Sequence, residues 1–135
     1  MKKIVIAVFI GFTLWGCTDK KAQEKALLDD VIKKHDKVMS ADEQLMKNKM
    51  QLDTLVKNSP AIEKDSAVIY VKLLNNAENS MDDWMHKFNP DQTGNSHDET
   101  MAYLSAQKKQ ITAIDSQLNA AINESNKYLL KIKSK

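Results

Sequence analysis

Apolar residues recur along most of the chain at intervals of three, four and seven positions, the spacing of an amphipathic helix. The first helix is predicted over about residues 21–57. Its central stripe follows a strict seven-residue step through Val31, Val38, Leu45 and Leu52. Such a step is typical of helices that pack side by side as in coiled coils. No segment shows the alternation of apolar and polar residues that predicts a strand.

Two more helices are predicted, over about residues 60–89 and 97–133. Ser59 and Pro60 suit a helix start, and Pro90 disfavours helical geometry in the residue before it, which ends the second helix. Ser96 and Glu99 form the S-x-x-E pattern of a capping box at the start of the third. The second helix has this predicted apolar face: Ile62, Ile69, Leu73, Ala77, Met81, Trp84, Met85 and Phe88. The predicted apolar face of the third helix consists of Met101, Leu104, Ile111, Ile114, Leu118, Ala121, Ile122, Leu129 and Ile132.

These elements predict an all-α fold, an elongated antiparallel three-helix bundle with a coiled-coil-like core. The bundle is expected to occupy residues 25–135 as one domain, because the chain is too short for two separate cores.

The first 16 residues have the pattern of a secretory signal peptide: two lysines, an apolar run over residues 4–15 and a small residue, Gly16. The run is too short to cross a bilayer as a helix. Leu14-Trp15-Gly16-Cys17 resembles a bacterial lipobox, in which the cysteine becomes the first residue and is acylated. Residues 17–24 are then a lipid-bearing cysteine and a polar tether. An ordinary signal peptide with an incidental cysteine is the alternative.

Composition removes several classes of function. All 20 basic residues are lysine, and without the leader they balance the 18 acidic residues. A neutral chain without arginine is a poor nucleic-acid binder. The single cysteine, Cys17, excludes a disulfide framework, and three glycines in the whole chain exclude a glycine-rich phosphate loop. No arrangement of a nucleophile and a base is recognisable, so the chain is expected not to be an enzyme.

One end of the bundle is predicted to collect histidines and methionines. When the predicted hairpins are folded, His35 and Met39 face Met81, and Met85 faces Met101, with Trp84, His86 and His97 nearby. His35 and Met39, like Met81 and Met85, are four residues apart and share a helix face. Imidazole and thioether ligands suit Cu(I), and a His/Met pair across a bundle also suits haem. The alternative is that the methionines fill an irregular core beside Trp84 and no cofactor binds.

Two segments carry a resemblance to a known family. His35-Asp36-Lys37-Val38-Met39 matches an H-D-x-V-M pattern, and residues 81–90 match M-x-x-W-M-x-x-F-x-P. The chain thereby resembles small lipoproteins of Bacteroidetes that are often labelled "viral A-type inclusion protein". The resemblance implies a cell-envelope location and coiled-coil character, and it carries no established activity.

The sequence therefore predicts a lipid-anchored cell-envelope protein whose helical bundle binds an envelope protein or a second copy of itself. The outer membrane is favoured, since Thr18 rather than an aspartate follows Cys17. The second hypothesis is a Cu(I) or haem protein that uses the histidine and methionine cluster. A third, a peptidoglycan tether, rests on the terminal Lys135 alone, and a folded-back bundle argues against a spanning rod.

Overall fold

The computed structural model describes the backbone of residues 15–134 and the side chains of residues 19–134. The predicted signal peptide up to Leu14 and the terminal Lys135 lie outside the described residues, as does the side chain of Cys17. The described chain forms four α-helices: α1 (Trp15–Met39), α2 (Asp42–Asn58), α3 (Ala61–Lys87) and α4 (His97–Lys133). Nothing in the described part is a strand, and the predicted all-α three-helix bundle is confirmed.

The first arm of the bundle consists of two helices, α1 and α2, where one continuous helix was predicted. Residues 40–41 form a turn in which the Ala41 amide donates to the Val38 carbonyl at 3.0 Å. Neither residue is glycine or proline, so the sequence gives no sign of the break. The turn does not shift the core register, because Val38 and Leu45 on either side are both buried.

The helix ends differ slightly from the predicted ones. Ser59 ends α2 by donating its amide to the Leu55 carbonyl, and α3 begins at Ala61 with Pro60 as an N-cap that makes no side-chain bond. The prediction that Ser59 caps this helix is therefore wrong. The prediction for α4 is confirmed: Ser96 accepts from the Glu99 amide and Glu99 bonds back to the Ser96 amide, a complete capping box.

Polar contacts fix the directions of the helices. Near the start of α3 the Glu63 carbonyl accepts from the Tyr128 hydroxyl at 2.8 Å, and at its end Phe88 stacks on Tyr103, so α3 and α4 are antiparallel. Only residues 59–60 separate α2 from α3, and the bridge from Lys49 to Glu78 shows that α3 folds back along α2. At a rise of 1.5 Å per residue, the 37 residues of α4 extend about 55 Å, which makes the bundle elongated.

The core is the predicted seven-residue stripe of α1 and α2 packed against α3 and α4. Val31, Val38, Leu45 and Leu52 are at most 2% exposed. In α4 the predicted face is buried from Leu104 to Leu129, and Met101 and Ile132 at its ends are half-buried.

The predicted face of α3 is wrong in its first half. Ile62 is 83% exposed, and Ile69 and Leu73 are also exposed. Ala67 and Leu74 are buried instead, and Tyr70 stacks on Tyr128 of α4 with ring centroids 4.7 Å apart. The helix has apolar side chains on more than one face, and the face that carries Ala67, Tyr70 and Leu74 turns inward.

A helix must be long and apolar to span a membrane. Within residues 15–134, no helix is both long and apolar enough to cross a bilayer.

Candidate functional site

The two segments behind the family resemblance meet through aromatic rings. His35 of α1 lies 6.0 Å from Trp84 of α3, measured between ring centroids. Trp84 stacks on Phe88 at 4.7 Å, and Phe88 stacks on Tyr103 of α4 at 6.4 Å. Ring stacks of this kind stabilise packing beyond the apolar area they bury. This aromatic layer therefore joins α1, α3 and α4 at one level of the bundle.

The aromatic layer also anchors the end of α3. Phe88 leaves helical geometry at φ −71° and ψ 123°, and the Asn89 amide donates to the Tyr103 hydroxyl at 2.8 Å. This contact sets the register between α3 and α4. Counted from this contact, Met101 lies level with residues beyond the end of α3, about 9 Å along the bundle from Met85. The predicted pairing of Met85 with Met101 is therefore out of register.

Trp84 carries a buried polar atom without a hydrogen-bond partner in the described part of the chain. Its side chain is 95% buried, and its indole Nε1 has no hydrogen-bond acceptor within the described residues. An unpaired buried donor costs about 1–3 kcal/mol. The sequence could not predict the unpaired indole N–H, because it depends on how the Trp84 ring packs between His35 and Phe88.

The five residues predicted as metal ligands differ in their exposure. Met81 is buried in the core, and His35 and Met101 are half-buried. Met39 and Met85 are 41% and 36% exposed. Core filling accounts for Met81, but it does not account for the two exposed thioethers.

Each of the three histidines has a partner. His35 Nδ1 lies 3.0 Å from the Asp36 carboxylate, and His86 Nδ1 lies 2.7 Å from the Asp82 carbonyl. His97 Nδ1 lies 2.9 Å from the Glu24 carboxylate. His97 therefore links α4 to α1. Within the described residues no three histidine, cysteine or acidic side chains are grouped to hold a metal ion.

Glu24 also lines a groove between α1 and the loop that joins α3 to α4. The groove has a volume of about 370 Å³ and is bordered by Lys21, Lys25, Leu28 and the loop from Gln92 to Asn95. His97 and Lys21 hold the pKa of the Glu24 carboxyl below its usual range by hydrogen bonding and charge. Residues 17–24, predicted as a polar tether, are part of α1, and Glu24 at the end of this segment contacts His97 of α4.

The loop beside this groove is built by side-chain turns. Asn89 accepts from the Asp91 amide, and Asp91 accepts from the Thr93 amide at 2.9 Å. The bonds from Thr93 hold the pKa of the Asp91 carboxyl below its usual range. Gly94 follows with φ of +93°, a conformation that residues with a Cβ rarely adopt.

A buried polar network was missed by the sequence reasoning. Asn48 of α2 is fully buried, and its amide donates to Ser125 Oγ at 2.7 Å and to the Ile122 carbonyl at 3.3 Å. Gln44 donates to the Asn48 side-chain oxygen at 2.7 Å. The position of Asn48 could have predicted its burial, because Asn48 lies three residues after Leu45 and four before Leu52 and so shares their helix face.

Comparisons with known proteins add no assignment. A scan against family models and searches of curated proteins and solved structures find no match to this chain. The resemblance to the Bacteroidetes lipoproteins therefore stays a prediction from the two segments.

Proposed function

We propose that this protein is a lipid-anchored module of a bacterial cell envelope, favoured at the outer membrane, that binds a partner protein through its helical bundle. The observation that carries the anchoring is the segment Leu14-Trp15-Gly16-Cys17 directly after an apolar leader. Two or more acyl chains suffice for stable membrane attachment. Because α1 includes residue 17, an acylated Cys17 is joined to the bundle without a long flexible linker.

The binding role is supported by apolar side chains that the bundle leaves in water. Met50 is 68% exposed, and Met39 and Met46 are 41% and 42% exposed. Such side chains are common singly, but contiguous groups of them mark interaction surfaces. The proposal is a binding function because the sequence has no recognisable arrangement of a nucleophile and a base.

The anchoring is tested by cell fractionation of the wild-type chain, a Cys17→Ser variant and a neighbouring Thr18→Ser control. The wild type and the control are expected in the membrane fraction and to resist extraction by salt and alkaline carbonate. The Cys17→Ser chain is expected to leave that fraction once the membranes are washed. Equal retention of all three chains would contradict a lipid anchor at Cys17.

A second candidate function is Cu(I) binding. It is favoured by the exposure of Met39 and Met85 beside the contact of His35 with Trp84. Thioether and imidazole donors are the ligands that Cu(I) prefers. Met39 lies one turn after His35 on α1, and Met85 directly follows Trp84 on α3. The buried Met81 lies one turn before Met85.

Competitive Cu(I) titration of the full chain carrying Cys17→Ser tests this candidate, because the substitution removes the thiol. One copper ion per chain is expected, lost when Met39→Leu and Met85→Leu are added. The matched control adds Met46→Leu and Met50→Leu, and it should bind like the parent. No binding, or equal binding by both double variants, would exclude this site.

A further inference from the structure

A stripe of exposed apolar side chains runs along α1 and α2 on the surface of the bundle. Ile32, Met39 and Met46 are seven residues apart, and Met50 follows one turn later. All four are exposed, from 38% for Ile32 to 68% for Met50. We call these four residues the methionine stripe.

The methionine stripe keeps one register across the turn between α1 and α2. Ile32, Met39 and Met46 each directly follow a residue of the buried seven-residue repeat, and that repeat stays in the core on both sides of residues 40–41. From residue 32 to residue 50 the stripe is about 27 Å long. That length matches about five turns of a partner helix.

Acidic residues lie beside the methionine stripe. Asp42, Glu43 and Asp53 are each one helical turn from a stripe residue, and all three are exposed. No ion pair or hydrogen bond involves their side chains within the described residues. Of the lysines one turn away, Lys49 is bridged to Glu78 and Lys47 alone is unpaired. The border of the stripe is therefore net acidic.

This combination selects one class of occupant. Methionine side chains are flexible and polarisable, so they adapt to the apolar face of an amphipathic helix. Carboxylates along the border would pair with lysine or arginine on the flanks of that helix. We propose that the methionine stripe docks a basic amphipathic helix of a partner protein, which rests on the binding role proposed above.

The second exposed apolar group provides a matched control. Ile62, Ile69 and Leu73 lie on α3, where Asp65 and Lys72 are both exposed and carry opposite charges. This surface is as apolar as the stripe but has no excess of acid in its border. Substitutions there change exposed hydrophobicity without touching the proposed site.

The test uses the full chain carrying Cys17→Ser, so that no acyl chain is involved. The probe is a fluorescein-labelled helical peptide of about five turns built from leucine and lysine, read by fluorescence anisotropy. A second peptide has glutamate in place of every lysine. The leucine and lysine peptide is expected to bind, and Met46→Gln with Met50→Gln should weaken binding about tenfold or more. Ile62→Gln with Ile69→Gln should leave binding unchanged, and circular dichroism checks that both variants stay folded.

Three results would overturn the proposal: no binding of the leucine and lysine peptide, equal loss in both double variants, or equal binding of the glutamate peptide. Each is distinguishable from failure of the membrane anchor, which fractionation of the wild-type chain measures without any peptide.

Discussion

Asn48 is the one fully buried amide side chain in the described part of the core. Its neighbours in the buried seven-residue repeat are Leu45 and Leu52. Its hydrogen bonds to Ser125 and Gln44 satisfy it, so it adds specificity where an apolar residue would add only burial. A single buried asparagine can fix the register of packed helices. Here it aligns α2 with α4.

Replacing Asn48 by alanine should lower the free energy of unfolding by about 1–3 kcal/mol, because Gln44 and Ser125 lose their buried partner. Urea denaturation monitored by circular dichroism measures the change. Asn123→Ala, an exposed position on α4, is the control and should be neutral or slightly stabilising. Equal stability of the two variants would show that the network contributes nothing.

Among the elements, α1 is held on α4 by three side-chain pairs. Glu24 pairs with His97, Asp30 with Lys108, and Lys37 with Asp115. The bond from Lys108 also holds the pKa of the Asp30 carboxyl below its usual range. These pairs attach α1 to α4 from Glu24 to Lys37, in addition to the contact made by its apolar face.

The lowered pKa of Glu24 predicts a pH dependence of stability. A carboxyl whose pKa is lower in the folded state contributes stability that is complete above its unfolded pKa, about 4.3, and that is lost as the pH falls through the folded value. The wild-type chain should therefore be more stable than Glu24→Gln near neutral pH. The difference in unfolding free energy should shrink below about pH 4.

Urea denaturation of both chains at several pH values checks this, with Glu43→Gln as an exposed control that has no partner in the described part of the chain. A difference between wild type and Glu24→Gln that stays constant down to acidic pH would contradict the ion pair.

The sequence predicts a helix and its buried face best where the apolar residues of that segment follow a single spacing. The seven-residue stripe of α1 and α2 predicts its buried residues, and the capping box at Ser96 predicts the start of α4. In α3 the run Ile69-Tyr70-Val71 presents apolar side chains in three directions, so periodicity could not decide which face is buried. The stacking of Tyr70 on Tyr128 and the small side chain of Ala67 decide it, and these are long-range contacts.

The candidate site was predictable only in part, for a similar reason. The meeting of His35 with Trp84 follows from folding α1 back along α3, which the turn at Pro60 allows. The shift of Met101 away from Met85 depends on the loop after Phe88, whose geometry is set by the Tyr103 hydroxyl. The exposure of Met39 also depends on how α1 and α3 are rotated, and spacing along one helix does not determine that rotation.

In the whole molecule, α1 connects the proposed lipid anchor to the proposed docking surface. The methionine stripe begins at Ile32, about 22 Å along α1 from residue 17. In the proposed anchored state, an upright bundle would hold the stripe clear of the lipid headgroups. A partner protein at the membrane surface could then reach the stripe without entering the bilayer.

The most direct test of the central claim is intact-mass analysis of the wild-type chain purified from membranes. A lipid anchor at Cys17 predicts loss of residues 1–16, an N-terminal Cys17 and an added mass equal to a diacylglycerol group, with or without a further acyl chain. A chain that keeps its leader, or that carries an unmodified Cys17, would contradict it.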